Sequence, residues 1–170
     1  MKLWMPLAAA ALALGVTTAS ADDIGKTKTD PVSGKSVTVA KETPMLNVGG
    51  NKLYFADAKN RETFLKNPES FLKMPQICPV KGNPGRANKA NRAVVNDQIL
   101  YFCCANCAME FQKDPSLLGK VKDPVSGNEF SLAAGAPTAT YKGSTYYFES
   151  DECKAAFEKD PAKYAKVVLQ

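Results

Sequence analysis

Residues 99–111 read ILYFCCANCAMEF, and this stretch joins an apolar run to three of the five cysteines of the chain. The apolar run is typical of a strand. From Cys103 onward the spacing is helical, because Cys103, Cys107 and Phe111 fall four apart and would share one helix face. Free N–H groups and the positive dipole end of a first helical turn favour the thiolate form of cysteine. The stretch therefore predicts a strand followed by a helix start whose thiolates converge on one soft cation.

The surroundings of this stretch recur twice more, once before it and once after it. Each copy has an X-Pro-Val-x-Gly opening, a Tyr-Phe pair, and a later Phe followed by an Asn-Pro or Asp-Pro step. The openings begin at Asp30, Cys78 and Asp123, and the Tyr-Phe pairs end at Phe55, Phe102 and Phe148. Such self-similarity predicts an array of like structural units.

Each copy has the signals of a turn, a β-hairpin and a helix. Pro and Gly favour a turn at the opening, and the Asn/Asp-Pro step ends a helix of about ten residues. We expect the Tyr-Phe strand to pair with the apolar stretch that follows the opening, at 36–39, 93–95 and 129–132. One ring of each Tyr-Phe pair should be buried, because side chains alternate along a strand. The expected fold is α+β, with three tandem small β-hairpin–helix units packed into one compact array.

The N-terminus has the pattern of a secretory signal. Lys2 gives a positive start, 7–16 is apolar, and Ala19-Ser20-Ala21 fits a cleavage site, whereas the apolar run is too short to span a bilayer. We therefore expect a secreted protein, periplasmic if the source is bacterial, in a compartment that permits disulfides. The expected divisions are a signal peptide at 1–21, a flexible lead-in at 22–29, and units at 30–75, 76–120 and 121–170.

Composition excludes several classes of function. The net charge of +5 comes from lysines scattered among acids, which gives little support to nucleic-acid or membrane binding. The chain has no histidine, so it lacks the commonest general base, the usual nitrogen ligand for metals, and any Ser-His or Cys-His pair. No phosphate loop or nucleophile elbow is present. We do not expect an enzyme.

Four cysteines are candidate metal ligands: Cys78, Cys103, Cys107 and, as a fourth, Cys104. Thiolates select Cu(I), Zn(II), Cd(II) or Hg(II). Side chains of adjacent residues diverge by about 100° along a helix, so three sulfurs are easier to gather than four. Two alternatives stay open. Cys78 can form a disulfide with Cys103 or Cys107, and Cys104-Ala105-Asn106-Cys107 has the spacing of a redox motif.

The third copy and one loop offer weaker signals. Cys153 is expected to be a small buried residue, or a disulfide partner of Cys104. The acidic residues at the start of the third helix are explained by the helix dipole. The loop at 81–92 is expected to be solvated, with docking of an acidic partner as the less favoured interpretation.

The pattern of a Pro-Val-x-Gly opening, a Tyr-Phe strand and a Cys-x-x-x-Cys helix start resembles the YHS domain and the related TRASH-like treble-cysteine modules. The resemblance implies a small α/β module of heavy-metal transport, sensing and resistance proteins. It implies one metal-binding cysteine near the opening turn and two after the aromatic strand. In the middle copy these positions fall on Cys78, Cys103 and Cys107.

The chain also departs from that family pattern. A typical opening has its cysteine where this chain has Ser33, Lys81 and Ser126. The paired positions hold Ala56 and Asn60 in the first copy, and Glu149 and Cys153 in the third. We therefore expect about one soft metal ion per chain, copper(I) or zinc(II), with structural outer copies.

The expected function is that of an exported soft-metal-binding protein, copper first, for buffering, delivery or resistance. The expected partners are the metal ion and a metal-transport or redox protein, with no nucleic acid and no membrane span. The alternatives are a structural or protein-interaction module whose cysteines form disulfides and, third, a thiol–disulfide redox protein.

Overall fold

A computed structural model describes residues 19–169, so the expected signal peptide lies outside the described residues except for its last three positions. The described part is a mixed α+β structure. Its helices are α1 (Ala58–Lys66), α2 (Ala105–Lys113), α3 (Asp151–Lys159) and α4 (Pro161–Tyr164). Its strands are β1 (Thr27–Thr29), β2 (Ser36–Thr38), β3 (Met45–Val48), β4 (Asn51–Tyr54), β5 (Gln76–Ile77), β6 (Pro84–Gly85), β7 (Arg92–Val95), β8 (Gln98–Tyr101), β9 (Lys120–Lys122), β10 (Glu129–Ser131), β11 (Thr138–Tyr141) and β12 (Ser144–Tyr147).

A six-stranded sheet with the order β11-β12-β7-β8-β3-β4 forms the centre of the fold. It consists of three antiparallel hairpins, β3–β4, β7–β8 and β11–β12. Neighbouring hairpins join through short parallel pairings, with Thr145 beside Val95 and with Asn47 beside Gln98. The hairpin that leads into the cysteine-rich helix α2 therefore lies between the other two.

The pairing of the Tyr-Phe strands differs from the prediction in two of three cases. In the middle, β7 pairs with β8 as expected. The stretches at 36–39 and 129–132 instead supply β2 and β10, which pair with β1 and β9 in separate two-stranded sheets. The cause is the tight opening turn, in which the Asp30 N–H donates to the Lys35 carbonyl and brings the chain back onto the segment just before it. The expected flexible lead-in at 22–29 thus contains strand β1.

The helices end where the sequence predicts. α1, α2 and α3 each span nine residues. They stop at Asn67, Asp114 and Asp160, each followed by a proline, because the residue before proline is disfavoured in the α conformation. No helix among the described residues is long and apolar enough to cross a membrane.

Both rings of the first two Tyr-Phe pairs are buried, contrary to the expected one ring per pair. The tyrosines tolerate burial because their hydroxyls donate to carboxylates, Tyr54 to Asp23 at 2.8 Å and Tyr101 to Glu69 at 3.0 Å. Glu69 also accepts a hydrogen bond from Arg92 at 2.8 Å. Both carboxylates come from segments that precede the hairpin they contact, so these bonds fasten successive parts of the chain together.

The C-terminal segment is held by the turn of the central hairpin. One oxygen of Asp97 accepts hydrogen bonds from the Lys166 and Val167 N–H groups at 2.9 Å and from the Tyr146 hydroxyl at 3.0 Å. Burial raises the pKa of Asp97 despite these donors. Arg61 also donates to the Lys166 carbonyl, at 2.6 Å. The end of the chain is therefore clamped against the sheet.

Asn96, at the same turn, links the central hairpin to strands β9 and β12. Its amide nitrogen donates to the carbonyls of Lys122 at 3.0 Å and Tyr147 at 2.7 Å, and its amide oxygen accepts from the Tyr147 N–H at 2.8 Å. The residue is 6% exposed and has a φ of 44°, a left-handed value that asparagine tolerates better than most residues.

We expect Asn96→Ala to lower the free energy of unfolding by about 3 kcal/mol, because it leaves buried backbone groups without partners and forces alanine to a positive φ. Asn96→Gly removes the same hydrogen bonds without the φ penalty, so it should cost about 1 kcal/mol less. Urea denaturation measures both. Asn83→Ala, at an exposed asparagine, is the control and should change little. Equal midpoints for all three variants would contradict the role given to Asn96.

Candidate metal centre

Three segments bring the candidate ligands together. Cys78 follows β5 in the opening turn, Cys103 follows β8, and Cys107 lies in the first turn of α2. Their sulfur atoms all lie within 4.8 Å of one another. The structure therefore gathers three of the four cysteines that the sequence singled out into one group.

The start of α2 differs from the predicted one. The helix begins at Ala105, and Cys104 is its N-cap residue in an extended conformation, with φ −158° and ψ 168°. Cys103 and Cys107 therefore do not share a helix face. They meet because the chain turns sharply at the cap, which places the sulfur of Cys107 3.5 Å from that of Cys103 and 3.6 Å from that of Cys104. Cys104 lies outside the three-sulfur group.

Cys78 lies in a cradle of backbone N–H groups. Burial raises the pKa of its thiol, but hydrogen bonds from the N–H groups of Cys103, Lys81 and Val80 outweigh this effect, and the pKa falls below its ordinary value. The side chain is only 1% exposed. Three donors around a buried sulfur stabilise its thiolate form.

The same cradle holds a carboxylate in the other two openings. Asp30 accepts from the N–H groups of Val32 at 2.7 Å, Ser33 at 3.1 Å and Ala56 at 2.7 Å. Asp123 accepts from the corresponding N–H groups of Val125, Ser126 and Glu149 at 2.7, 3.1 and 2.9 Å. A cradle that holds a buried carboxylate in two positions is built for an anion, so Cys78 occupies an anion site. The signal was present in the sequence as Asp, Cys and Asp at the first position of the three openings.

The remaining thiols of the group are less easily ionised together. Burial, together with the hydrogen bonds of Cys103 and Cys104, raises the pKa of Cys107 well above its usual range. For Cys103 the contact with Cys107 favours the thiolate, but desolvation and the sulfurs of Cys78 and Cys104 raise its pKa overall. The backbone N–H and the thiol of Cys107 lower the pKa of Cys104. Crowded sulfurs thus oppose a second and third negative charge unless a cation lies among them.

Lys81 supplies one positive charge at the edge of the group. The nearby sulfurs of Cys107 and Cys104, followed by Glu110 and Cys103, raise the pKa of its ammonium group. Lys81 is exposed, so it compensates the sulfurs from the solvent side. Lys81 therefore does not supply a positive charge between the sulfurs themselves.

The donor set fits a small thiophilic ion. Metal–sulfur bonds of about 2.3 Å in a trigonal arrangement place sulfurs about 4 Å apart, close to the separations found here. Cys78 and Cys107 are buried, whereas Cys103 is exposed. All five cysteines are free, and 3.5 Å between two sulfurs is well beyond a disulfide bond of about 2 Å.

The positions that correspond to this group in the other two segments have different chemistry. In the first segment the Asn60 amide donates to Asp30 at 2.7 Å. These two residues correspond to Cys107 and Cys78, so a hydrogen bond replaces a pair of sulfurs. In the third segment Asp123, Glu149 and Cys153 lie within 4.8 Å of one another. Cys153 is half-buried, not fully buried as expected, and it is not bonded to Cys104.

One comparison with known proteins gives a match. Residues 121–168 match the model of the YHS domain family. Neither the curated proteins nor the solved structures compared with this chain give a match. The family match covers less than half of the chain and supports membership of the YHS family for the segment that contains Asp123, Glu149 and Cys153.

Proposed function

We propose that this protein binds one soft metal ion through the thiolates of Cys78, Cys103 and Cys107. The observation that carries the proposal is the grouping of three sulfurs within 4.8 Å, one of them in a backbone cradle that stabilises an anion. The association of the YHS domain with metal binding supports it.

Copper(I) fits this donor set best. A three-sulfur site suits a soft monovalent ion, whereas structural zinc is almost always bound by four ligands. The chain has no histidine to complete a zinc site. Zinc would need Cys104 or a water molecule as its fourth ligand.

The two segments before the family match are proposed to be degenerate copies of the same domain. Their support is the shared order of two short paired strands, a hairpin and a nine-residue helix, together with the shared N–H cradle. In this interpretation the first copy has a hydrogen bond between Asp30 and Asn60 in place of a metal and serves as a structural flank.

A role in metal buffering, delivery or resistance outside the cytoplasm follows from the metal site and the signal-like N-terminus. The exposure of one ligand, Cys103, supports a site that releases its ion to another protein.

Thiol–disulfide exchange is a second candidate function. Cys104 is partly exposed, its pKa is lowered, and its sulfur lies 3.6 Å from that of Cys107. A disulfide between these two residues would take Cys107 away from the metal. The two functions are separated by the state of the protein recovered from its own compartment with thiols blocked at lysis. A stoichiometric metal adduct in native mass spectrometry supports the first, and a metal-free mass lowered by disulfides supports the second.

We expect Cys78→Ser, Cys103→Ser and Cys107→Ser each to weaken Cu(I) binding by about a hundredfold or more, because each removes a ligand and not merely a supporting group. Competition with a chromophoric Cu(I) chelator under anaerobic conditions measures the affinity. Cys153→Ser is the matched control and should bind as the wild type does. A loss of affinity in the control equal to that of the three variants would contradict the assignment.

Cys78→Asp should separate the structural role of the cradle from its metal role. Because Asp30 and Asp123 occupy equivalent cradles, the metal-free Cys78→Asp protein should unfold within about 1 kcal/mol of the wild type. Cys78→Ala leaves three N–H groups unpaired and should cost about 3 kcal/mol. Thermal or urea unfolding of the metal-free proteins measures both. Equal stability of the two variants would show that the cradle does not require an anion.

A further inference from the structure

We propose that a basic groove beside Cys103 docks an acidic segment of a partner protein that exchanges the metal ion with this chain. The basic groove is the concavity of about 700 Å³ whose lining includes Glu69, Lys73, Met74, Pro84, Gly85 and Arg86. The inference rests on the proposed metal function, since it names the partner of that same site.

The basic groove adjoins the exposed ligand. Gly85, in strand β6, is a neighbour of Cys103, because a Cβ atom added to Gly85 would be in ordinary contact with the Cys103 Cα atom, at 3.7 Å. Strand β6 pairs with β5, which leads directly into Cys78. A segment bound in the groove therefore lies next to the residue that carries the exposed sulfur of the group.

The charge of the groove is uncompensated. Glu69 is the acidic residue of the lining, and it is already engaged by Arg92 at 2.8 Å and by Tyr101 at 3.0 Å. Among the described residues, no carboxylate forms an ion pair with Lys73 or Arg86. Lys81 and Lys89, in the loop at 81–92, are also without an ion pair in the described part of the chain and extend the positive surface.

Two exposed apolar side chains belong to the groove or to the strand beside it. Met74, in the lining, is 49% exposed, and Ile77, which pairs with Pro84 of the lining, is 47% exposed, although the next residue, Cys78, is buried. Cations beside exposed apolar side chains suit a peptide that carries both carboxylates and apolar residues. The favoured occupant is therefore a protein segment in which acidic and apolar residues alternate.

The other anionic occupants fit less well. A single phosphate group fills only a small part of 700 Å³. Single-stranded nucleic acid is bound by stacking on aromatic side chains, and the lining has none. The docked acidic segment would bring the partner's thiolates to Cys103, and Cu(I) would pass by exchange of one thiolate for another without transfer of an electron.

The test is fluorescence polarisation with a labelled peptide of alternating glutamate, leucine and aspartate, and with the same peptide in which glutamine and asparagine replace the acids. We expect the full mature protein to bind the acidic peptide at least about tenfold more tightly than the neutral one, with a loss of affinity as salt increases. The double variant Lys73→Glu, Arg86→Glu should lower that affinity by about tenfold or more. Lys35→Glu, Lys59→Glu is the matched control, with the same change of charge at exposed positions outside the groove. Its affinity for the acidic peptide should fall by less than about threefold, because salt screens charges that lie far from the peptide.

The outcomes of the docking test differ from those of the metal test. The double variant should keep wild-type Cu(I) affinity, and Cys78→Ser, Cys103→Ser should keep the peptide affinity. Absence of Cu(I) binding by the wild-type protein, with intact docking, overturns the proposed function alone. Equal binding of both peptides, equal losses in the groove and control variants, or preferential binding of phosphatidylglycerol–phosphatidylcholine vesicles or of oligo(dT) overturns the docking proposal.

Discussion

The N–H cradle at each opening turn is the interaction on which the rest of the structure depends. Its donors come from two places, the turn itself and the first residue after the Tyr-Phe strand, so an anion within it ties the opening turn to the hairpin and to the helix that follows. Without an acceptor side chain at Asp30, Cys78 or Asp123, three N–H groups would lack a partner. That requirement explains why the first residue of each opening is Asp or Cys, and it agrees with the lowered pKa of Cys78 in the middle one.

The remaining connections fix how the three hairpins meet. Parallel pairing between hairpins is short, a single residue pair at one junction. The side chain of Asn96 reinforces that junction by bonding to both β9 and β12. Asp97 and Arg61 secure the end of the chain over the same region. The position of the cysteine group is thus determined by a sheet whose order depends on a few buried polar side chains more than on long ladders.

Local signals in the sequence predicted the helices and the cysteine group. They did not predict strand pairing or contacts between distant segments. The Asn/Asp-Pro steps located the helix ends, because proline acts on its immediate neighbour. Cys78 was grouped with Cys103 and Cys107 because the resemblance to the YHS and TRASH-like modules implies one cysteine at the opening turn and two after the aromatic strand. The partners of β4 and β12 were predicted wrongly, because several short apolar stretches compete and only the tight opening turn decides among them. The extended cap at Cys104 also escaped prediction, since helical spacing does not reveal the residue at which a helix begins. The burial of Tyr54 and Tyr101 depends on carboxylates from distant segments.

The interchange of Asp and Cys in one backbone setting has a consequence for how such proteins diverge. A segment whose opening turn needs an acceptor side chain can exchange oxygen for sulfur at that point while its scaffold stays the same. Gain or loss of a three-thiol group then requires changes at only two further positions, those held by Ala56 and Asn60 in the first segment and by Cys103 and Cys107 in the middle one. The number of such thiol groups per chain becomes a trait that selection can adjust by a few substitutions, independently of the selection that keeps the fold.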